Sequence, residues 1–248
     1  MTAPLSQWPK SGFREGQRYP TLDNPKVVIH TTEGVSLPSY PWPPHITYDP
    51  TRDLGWRHTN FDQGSFALKS PGGGQSPNYQ GGPAFQIEII GFAKDGPSRP
   101  DWWYERVGDV ISQACVIVGA PAFLHPKGFI GGQAYGEKGP NRISWDNYKA
   151  FSGVLGHQHV PFNTHWDPGN LDEKKLTEAI VAKMIAGFEW VDYDEWPYWA
   201  KESITKNIEK GYIRGIAVPG SDTKKRFEPE RPLTRAEAAV LLDRVGHV

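Results

Sequence analysis

Four histidines and one aspartate have types and positions that could hold a metal ion. His30 closes a short β-branched run, whereas the others fall within eleven residues of one another: His157, His159, His165 and Asp167. Catalytic zinc takes three nitrogen or oxygen ligands and keeps one position for water. One histidine from a strand end, with a histidine and an aspartate from one loop, could supply them. A strand-end histidine is also commonly a surface or hydrogen-bonded core residue, so both interpretations stay open.

A carboxylate lies inside a second apolar run. Residues 85–91 (FQIEIIG) alternate and then become apolar, which predicts a strand that contains Glu88. An acidic residue at such a position indicates either chemistry or an ion pair at the edge of a sheet.

The elements that position these residues follow from hydrophobic periodicity. Residues 26–30 predict a buried strand with a polar end, and residues 103–120 carry apolar side chains at helical spacing. Cys115 is expected on or near the apolar face of that helix. Asn170, with Glu173 three residues later, predicts the N-cap of a further helix that closes the first domain.

The chain changes character near residue 190. An acidic, aromatic segment leads to two predicted helices over residues 199–209 and 234–245, the second opening on a Thr-x-x-Glu capping box. We therefore predict two domains, 1–190 and 191–248. The second, at about 55 residues, is near the lower size limit for folding alone.

Composition excludes several classes of protein. There are 27 basic and 28 acidic residues, so the net charge of −1 excludes a general binder of polyanions such as nucleic acid. The chain is 38% hydrophobic and 22% charged, which is enough for a sizeable core. With Cys115 as the single cysteine, an intramolecular disulfide framework is excluded.

The sequence also predicts where the protein is made. No apolar run approaches the ~20 residues that cross a bilayer, so we expect no membrane insertion. The first residues lack the charged and apolar regions of a signal peptide. We therefore expect a chain that is made in the cytoplasm and needs another route to act outside it.

Several blocks, in order, resemble one enzyme family. They are residues 27–34 (VVIHTTEG), 85–91 (FQIEIIG), 156–160 (GHQHV) and 164–169 (THWDPG). These blocks resemble zinc-dependent N-acetylmuramoyl-L-alanine amidases of type 2, which are related to peptidoglycan recognition proteins, over residues 20 to about 188. Residues 44–50 and 67–73 resemble endolysins of phages that infect actinobacteria.

The resemblance implies a role for each matched residue. It makes His30, His157 and Asp167 the ligands of a zinc ion, and Glu88 the catalytic acid and base. His165 falls where many members have a lysine that stabilises the oxyanion, either as imidazolium or as an N–H donor. Separately, Lys69 stands where many relatives have a histidine, so the resemblance assigns it no role.

The resemblance also implies a fold and an activity. The expected fold is α/β, with a central mixed sheet flanked by helices. The expected activity is phage-encoded lysis by cleavage of the amide between N-acetylmuramic acid and L-alanine in peptidoglycan. Such a protein would wait in the host cytoplasm before lysis and then act on the cell wall.

Two other functions stay open at this stage. A non-catalytic peptidoglycan-binding protein would keep the groove without the ligands, but here all the ligand positions and Glu88 are filled. His157 and His159 also form an H-x-H pair, which is typical of zinc peptidases that cut peptidoglycan stem peptides. In an extended segment both side chains would point to the same face.

The C-terminal segment has a resemblance of its own. Residues 199–204, 211–215, 227–229 and 233–238 resemble one S-layer homology repeat, a module that binds cell-wall polysaccharide. Arg235 could pair with an anionic sugar substituent. A stabilising appendage is the alternative, since the capping box is also a good helix start.

The remaining histidines receive structural interpretations. We expect His45 to be a structural or substrate-groove residue, and His58, His125 and His247 to be surface residues.

Overall fold

A mixed five-stranded sheet forms the centre of the larger part of the chain. The computed structural model describes residues 2–71, 73–186, 189–190, 216–217 and 224–226. The chain divides into two compact units, Met1–Lys183 and Met184–Val248, and this sheet lies in the first. The predicted boundary at residue 190 and the nature of the second unit stay predictions.

Four of the five strands run parallel. The strands are β1 (Lys26–Thr31), β2 (Ile46–Asp49), β3 (Leu54–Arg57), β4 (Ala84–Ile89) and β5 (Gly153–Gly156). Their spatial order is β3-β2-β4-β1-β5, and β3 is antiparallel at one edge. The two strands predicted from the sequence are β1 and β4, which are buried at every position as their apolar runs indicate.

Helices flank this sheet, as the predicted α/β class requires. They are α1 (Asp101–Val118), α2 (Trp145–Ala150) and α3 (Glu173–Ala186). Short 3-10 turns cover Leu5–Gln7, Ala93–Ser98, Gly132–Ala134 and His157–His159. Helix α1 packs against β1 and β4, and Tyr148 of α2 shares a buried cluster with Val28 and Leu155.

Helix α1 matches its prediction, with ends that have a local cause. Pro100 precedes its first residue, and Gly119 ends it in the left-handed conformation at φ 73°. Ala120 then donates its N–H to the carbonyl of Cys115. The Cys115 side chain is buried, as its place on the apolar face predicts.

The predicted N-cap of α3 is wrong. Asp172, rather than Asn170, accepts the N–H of Lys175 with its carboxylate at 3.0 Å. Glu173 is the first helical residue, and its carboxylate accepts the N–H of Phe129 instead of closing a capping box. Asn170 and Asp172 are both of types that cap helices. The hydrogen bond between Glu173 and Phe129 favours a helix that starts at Glu173, with Asp172 as its cap.

The second unit is described in part. It contains β6 (Glu189–Trp190), β7 (Ile216–Ala217) and β8 (Lys224–Arg226), which pair in the order β6-β8-β7. The helices predicted over 199–209 and 234–245 lie outside the described residues, as do the blocks that resemble an S-layer homology repeat. Among the helices that are described, none has the length and apolar character to cross a membrane.

Candidate metal centre

The carboxyl ends of the parallel strands bring the predicted residues together. His30 of β1 lies beside Glu88 of β4 in the sheet register, and Glu88 lies beside Thr47 of β2. Strand β5 pairs with β1 up to its last residue, so His157 comes next at the same end of the sheet. Because paired positions share a face, Thr47, Glu88 and His30 form a row that leads to His157.

Three donor atoms converge beside this row. His30 Nδ1 lies 3.0 Å from His157 Nδ1. Asp167 places Oδ1 3.2 Å from His157 Nδ1 and Oδ2 3.7 Å from His30 Nδ1. All three side chains are buried, and one ligand atom from each lies within 4.8 Å of the others. The structure thus gathers the three predicted ligands into a group that could bind a metal ion.

The chemistry of this donor set fits zinc. Two imidazole nitrogens and one carboxylate oxygen leave a fourth tetrahedral position for water or substrate. Two ring nitrogens that face each other at 3.0 Å repel unless a proton or a metal ion lies between their lone pairs. Among the described residues His30 Nε2 has no hydrogen-bond partner, so no backbone group commits this ring to a structural role.

Electrostatics keep Asp167 and His30 in states that bind metals. Burial by itself raises the pKa of Asp167, but His157 and His30 outweigh it and the pKa falls to about 2. Burial, together with His157, lowers the pKa of His30 well below its usual value. Near neutral pH Asp167 is therefore a carboxylate and His30 is a neutral imidazole, as metal ligation requires.

Gln158 holds the loop that carries the aspartate. Its side-chain oxygen accepts from the N–H of Ile130 and from the amide of Asn141. Its amide nitrogen donates to the carbonyls of Trp166 and Gly169. The side chain is fully buried and all of its hydrogen-bonding groups are used. It therefore joins the turn after β5 to both sides of Asp167.

Arg142 clamps the same loop from another direction. Its guanidinium donates to four backbone carbonyls, those of Gly136, His157, Val160 and His165. A planar fork of five N–H groups suits several carbonyls at fixed angles. The backbone that presents His157 and His165 is therefore fixed by one side chain from before α2.

The aspartate itself is positioned from β1. The backbone N–H of Thr31 donates to Asp167 Oδ2 at 3.2 Å, so the strand that presents His30 also orients the carboxylate. Two residues later, Gly169 has φ +83°, and a Cβ there would collide with the carbonyl of Ala93. Only glycine lets the loop lie this close to the segment after β4.

Glu88 lies next to the cluster and is not a sheet-edge residue. Strand β4 is in the middle of the sheet, and in the part of the chain that is described Glu88 forms no salt bridge. The alternative of an ion pair at an edge is therefore wrong. Burial, with the charges of Asp167 and Glu33, raises the pKa of Glu88 well above its usual range. Such a carboxyl can carry a proton at higher pH than an exposed glutamate.

His165 is the exposed member of the group. Its ring stacks on that of His157 with centroids 4.8 Å apart, and its Nδ1 is 3.8 Å from Asp167 Oδ1. Its side chain is 66% exposed, so it can reach a ligand in the cleft. Burial of part of the ring and the neighbouring His157 lower its pKa, which favours a neutral N–H donor over an imidazolium near neutral pH.

His159 turns away from the cluster. Residues His157–His159 form a 3-10 turn, not an extended segment, so the two histidines do not share a face. His159 Nδ1 accepts the N–H of Gly156 at 2.9 Å, and its Nε2 lies 2.8 Å from the carbonyl of Gly128. Both ring nitrogens are occupied by backbone groups. The H-x-H pair is therefore not a pair of ligands in this structure.

A cleft of about 790 Å³ opens over these residues. Its floor contains the three candidate ligands and Glu88, and its walls include Tyr40, Trp42 and Lys69. The Trp42 side chain is 60% exposed at the wall. Lys69 forms an exposed ion pair with Glu137 at 3.1 Å and does not reach the ligand atoms through any hydrogen bond that the structure describes.

The other histidines are more buried than the sequence predicts. His45 is fully buried and its ring bonds backbone groups of Gln86 and Gln63, so of its two predicted roles the structural one holds. His58 and His125 are also buried, at 1% and 8% exposure, so their prediction as surface residues is wrong. His247 lies outside the described residues.

Comparisons with known proteins give distant structural likenesses. No protein-family profile and no curated protein sequence matches the chain. The crystal structure of Staphylococcus aureus hydrolase AmiA in complex with its ligand has 13% sequence identity and a TM-score of 0.42, over 73% of this chain and 87% of that chain. The structure of a point mutant of PlyL has 14% identity and a TM-score of 0.34, over 71% and 100% of the two chains.

Proposed function

We propose that this protein is a zinc-dependent N-acetylmuramoyl-L-alanine amidase that hydrolyses bacterial peptidoglycan. One observation carries the proposal: His30, His157 and Asp167 present three convergent ligand atoms beside Glu88, at the floor of one cleft. The blocks that resemble type 2 amidases contain these same four residues. We infer peptidoglycan as the substrate from this resemblance, and the cleft over the four residues is where it would bind.

The side chains suit hydrolysis of an amide without a covalent intermediate. His30, His157 and Asp167 would hold the zinc ion, which would supply a Lewis acid for the scissile carbonyl and for a water molecule. Glu88 takes a proton from the attacking water as a general base. It then gives that proton to the nitrogen of L-alanine as the C–N bond breaks, so the amine leaves uncharged.

His165 completes the proposed reaction site. Its ring is exposed to the cleft and lies against His157, where an N–H can face the oxygen of the tetrahedral intermediate. A donor that strengthens as negative charge develops stabilises the transition state more than the substrate. A neutral histidine does this without the charge of a lysine, so we expect a smaller contribution from it.

We further propose that the protein acts as a phage endolysin. The support is the resemblance of residues 44–50 and 67–73 to endolysins of phages that infect actinobacteria. In this proposal the chain waits in the host cytoplasm, and the segment 191–248 holds it on cell-wall polysaccharide through Arg235. A sedimentation assay of the full chain with purified walls tests this: an Arg235→Ala variant that sediments like the wild type would contradict the role of Arg235.

Product analysis tests the amidase. We expect purified peptidoglycan treated with the zinc-loaded protein to release peptides with a free N-terminal L-alanine, identified by mass spectrometry. Treatment with a chelator should stop the release, and added zinc should restore it. New termini within the stem peptide would instead favour a peptidase. Retained binding to peptidoglycan with no new termini would favour a recognition protein.

A further inference from the structure

Asn163 is a buried side chain that contacts a candidate ligand. It is 2% exposed and lies six residues after His157. Its amide orientation is determined by two backbone groups of fixed polarity. Asn163 Nδ2 donates to the carbonyl of Pro161 at 2.8 Å, and Asn163 Oδ1 accepts the N–H of Lys69 at 2.9 Å. If the amide nitrogen and oxygen were exchanged, the oxygen would face the carbonyl of Pro161 and the nitrogen would face the N–H of Lys69. Neither hydrogen bond could then form.

This orientation of Asn163 requires a hydrogen on the Nε2 atom of His157. Asn163 Oδ1 also lies 2.9 Å from His157 Nε2. Because Oδ1 can only accept, Nε2 must carry a hydrogen. In the neutral ring the lone pair is then on Nδ1, the atom that faces His30 and Asp167. Metal ligation by a histidine needs that lone pair.

We propose that Asn163 is a positioning residue that selects the metal-binding tautomer of His157. A metal-bound histidine usually donates its other N–H to an acceptor that fixes the tautomer and the ring orientation. Asn163 supplies this acceptor, and its two backbone contacts keep it in place. This inference rests on the proposed metal centre but does not depend on the substrate.

The side-chain amide of Asn163 also bonds the backbone of Lys69 in the wall of the cleft, so an effect of losing that contact must be separated from an effect on His157. Asn78 provides the control, because it bonds the backbone of the adjacent residue, Leu68, in a similar way. Its Oδ1 accepts the N–H of Leu68 at 3.0 Å and its Nδ2 donates to the Leu68 carbonyl at 2.6 Å. Asn78 is 7% exposed and none of its described hydrogen bonds goes to a histidine. An Asn78→Leu variant therefore loosens this wall without changing the partner of His157.

The first experiment reads the tautomer directly. A long-range ¹H–¹⁵N spectrum of the metal-free full chain at pH 8 distinguishes protonated from unprotonated ring nitrogens, with His157 assigned by comparison with a His157→Gln variant. We expect Nε2–H in the wild type and in Asn78→Leu, and a substantial Nδ1–H population in Asn163→Leu. An Nδ1–H ring in the wild type, or no change in Asn163→Leu, overturns the proposal.

The second experiment measures zinc affinity by competition with a chromophoric chelator. We expect Asn163→Leu to bind zinc roughly 10 to 100 times more weakly, the usual cost of losing such an acceptor. Asn78→Leu should bind within about threefold of the wild type, a change well below that range. Equal losses in the two variants would overturn the proposal, since the wall of the cleft would then explain them.

A further variant covers the case in which Asn163→Leu does not fold. Asn163→Asp loses the bond to the Pro161 carbonyl but keeps an acceptor for the N–H of Lys69 and for Nε2–H, so it should retain the Nε2–H tautomer. An Nδ1–H tautomer in this variant would contradict the proposal. Failure of the proposed function is separable: a wild type that binds zinc in the Nε2–H form but leaves peptidoglycan intact refutes the amidase and not the role of Asn163.

Discussion

His157 and His159 lie two residues apart in one turn, yet their rings serve different purposes. Both ring nitrogens of His159 bond backbone groups, of Gly156 and Gly128. The ring of His157 has one nitrogen on a side-chain amide, while the other faces His30 and Asp167. One histidine therefore closes a turn, and the other presents a lone pair to neighbouring ligands.

The same contrast distinguishes two other buried histidines, His45 and His30. His45 resembles His159, because its Nδ1 accepts the N–H of Gln86 and its Nε2 lies 2.7 Å from the carbonyl of Gln63. His30 resembles His157, since its Nδ1 faces the cluster and, among the described residues, its Nε2 has no partner. The use of the ring nitrogens, more than burial, distinguishes a structural histidine from a candidate ligand.

The strongest test of this contrast substitutes the two neighbours identically. His157→Gln removes one of three zinc ligands, so we expect loss of stoichiometric zinc binding and of detectable peptidoglycan hydrolysis. His159→Gln should keep the zinc affinity of the wild type, because no ligand atom is lost. Chelator competition and release of N-terminal L-alanine measure both effects. Loss of zinc in His159→Gln alone would restore the H-x-H peptidase interpretation.

The next test separates chemistry from metal binding at Glu88. Glu88→Gln preserves the shape of the side chain but cannot accept or return a proton. We expect kcat to fall roughly 10²- to 10⁴-fold, the usual contribution of a general base or acid. Zinc affinity should stay close to that of the wild type, because Glu88 is not among the three ligands. Retention of full activity would remove Glu88 from the mechanism.

Because His157 presents its Nδ1 atom to the candidate metal site, other side chains must stabilise the loop that carries it. Arg142→Met removes four hydrogen bonds, to the backbone carbonyls of His157, Val160 and His165 in the ligand loop and to that of Gly136 before α2. We expect the free energy of unfolding to fall by about 2 to 4 kcal/mol, since each lost hydrogen bond costs on the order of 1 kcal/mol. Urea unfolding of the metal-free protein measures it.

Arg142→Lys sharpens the same test. An ammonium group cannot reproduce the planar fork, so the lysine variant should recover less than half of the lost stability. Full recovery by lysine would mean that the positive charge, and not the geometry of the guanidinium, holds the loop.

The sequence predicts the elements whose apolar residues recur at regular spacing or are buried at every position. Strands β1 and β4 and helix α1 could be recognised because their apolar periodicity is local. The residues around the ligands could not be found in that way. Gln158 and Arg142 act through backbone carbonyls of distant segments, and no spacing in the sequence signals such contacts.

The errors in interpreting the histidines have the same origin. The H-x-H pattern assumes an extended backbone, but the bond between His159 and the N–H of Gly156 belongs to a 3-10 turn. His58 is predicted as a surface residue because its partners, Thr47 and the carbonyl of Ser11, lie in other segments. One signal was available: Asn163 is a polar residue between two motif blocks, where an acceptor for a ligand is a common requirement.

The smallest expected effect concerns the structural histidines and pH. Burial lowers the pKa of His45 to about 4 in the folded protein, whereas an unfolded histidine titrates near ~6.5. Between these values the unfolded chain binds the extra proton, so stability is lost as the pH falls. The loss is at most about 1.4 kcal/mol for each pH unit, or about 2 kcal/mol from pH 6.5 to pH 5.

A His45→Gln variant isolates this contribution, because every other titrating group, including the candidate ligands, is common to the two proteins. At pH 7.5 the variant should be less stable than the wild type, since glutamine replaces the hydrogen bonds of the ring imperfectly. The difference in the free energy of urea unfolding should then shrink by about 2 kcal/mol at pH 5. Parallel pH profiles would mean that His45 takes up its proton over the same pH range in the folded protein as in the unfolded chain. The bond from the Gln86 N–H to Nδ1 would then be wrong, and with it the distinction between structural and ligand histidines by the use of their ring nitrogens.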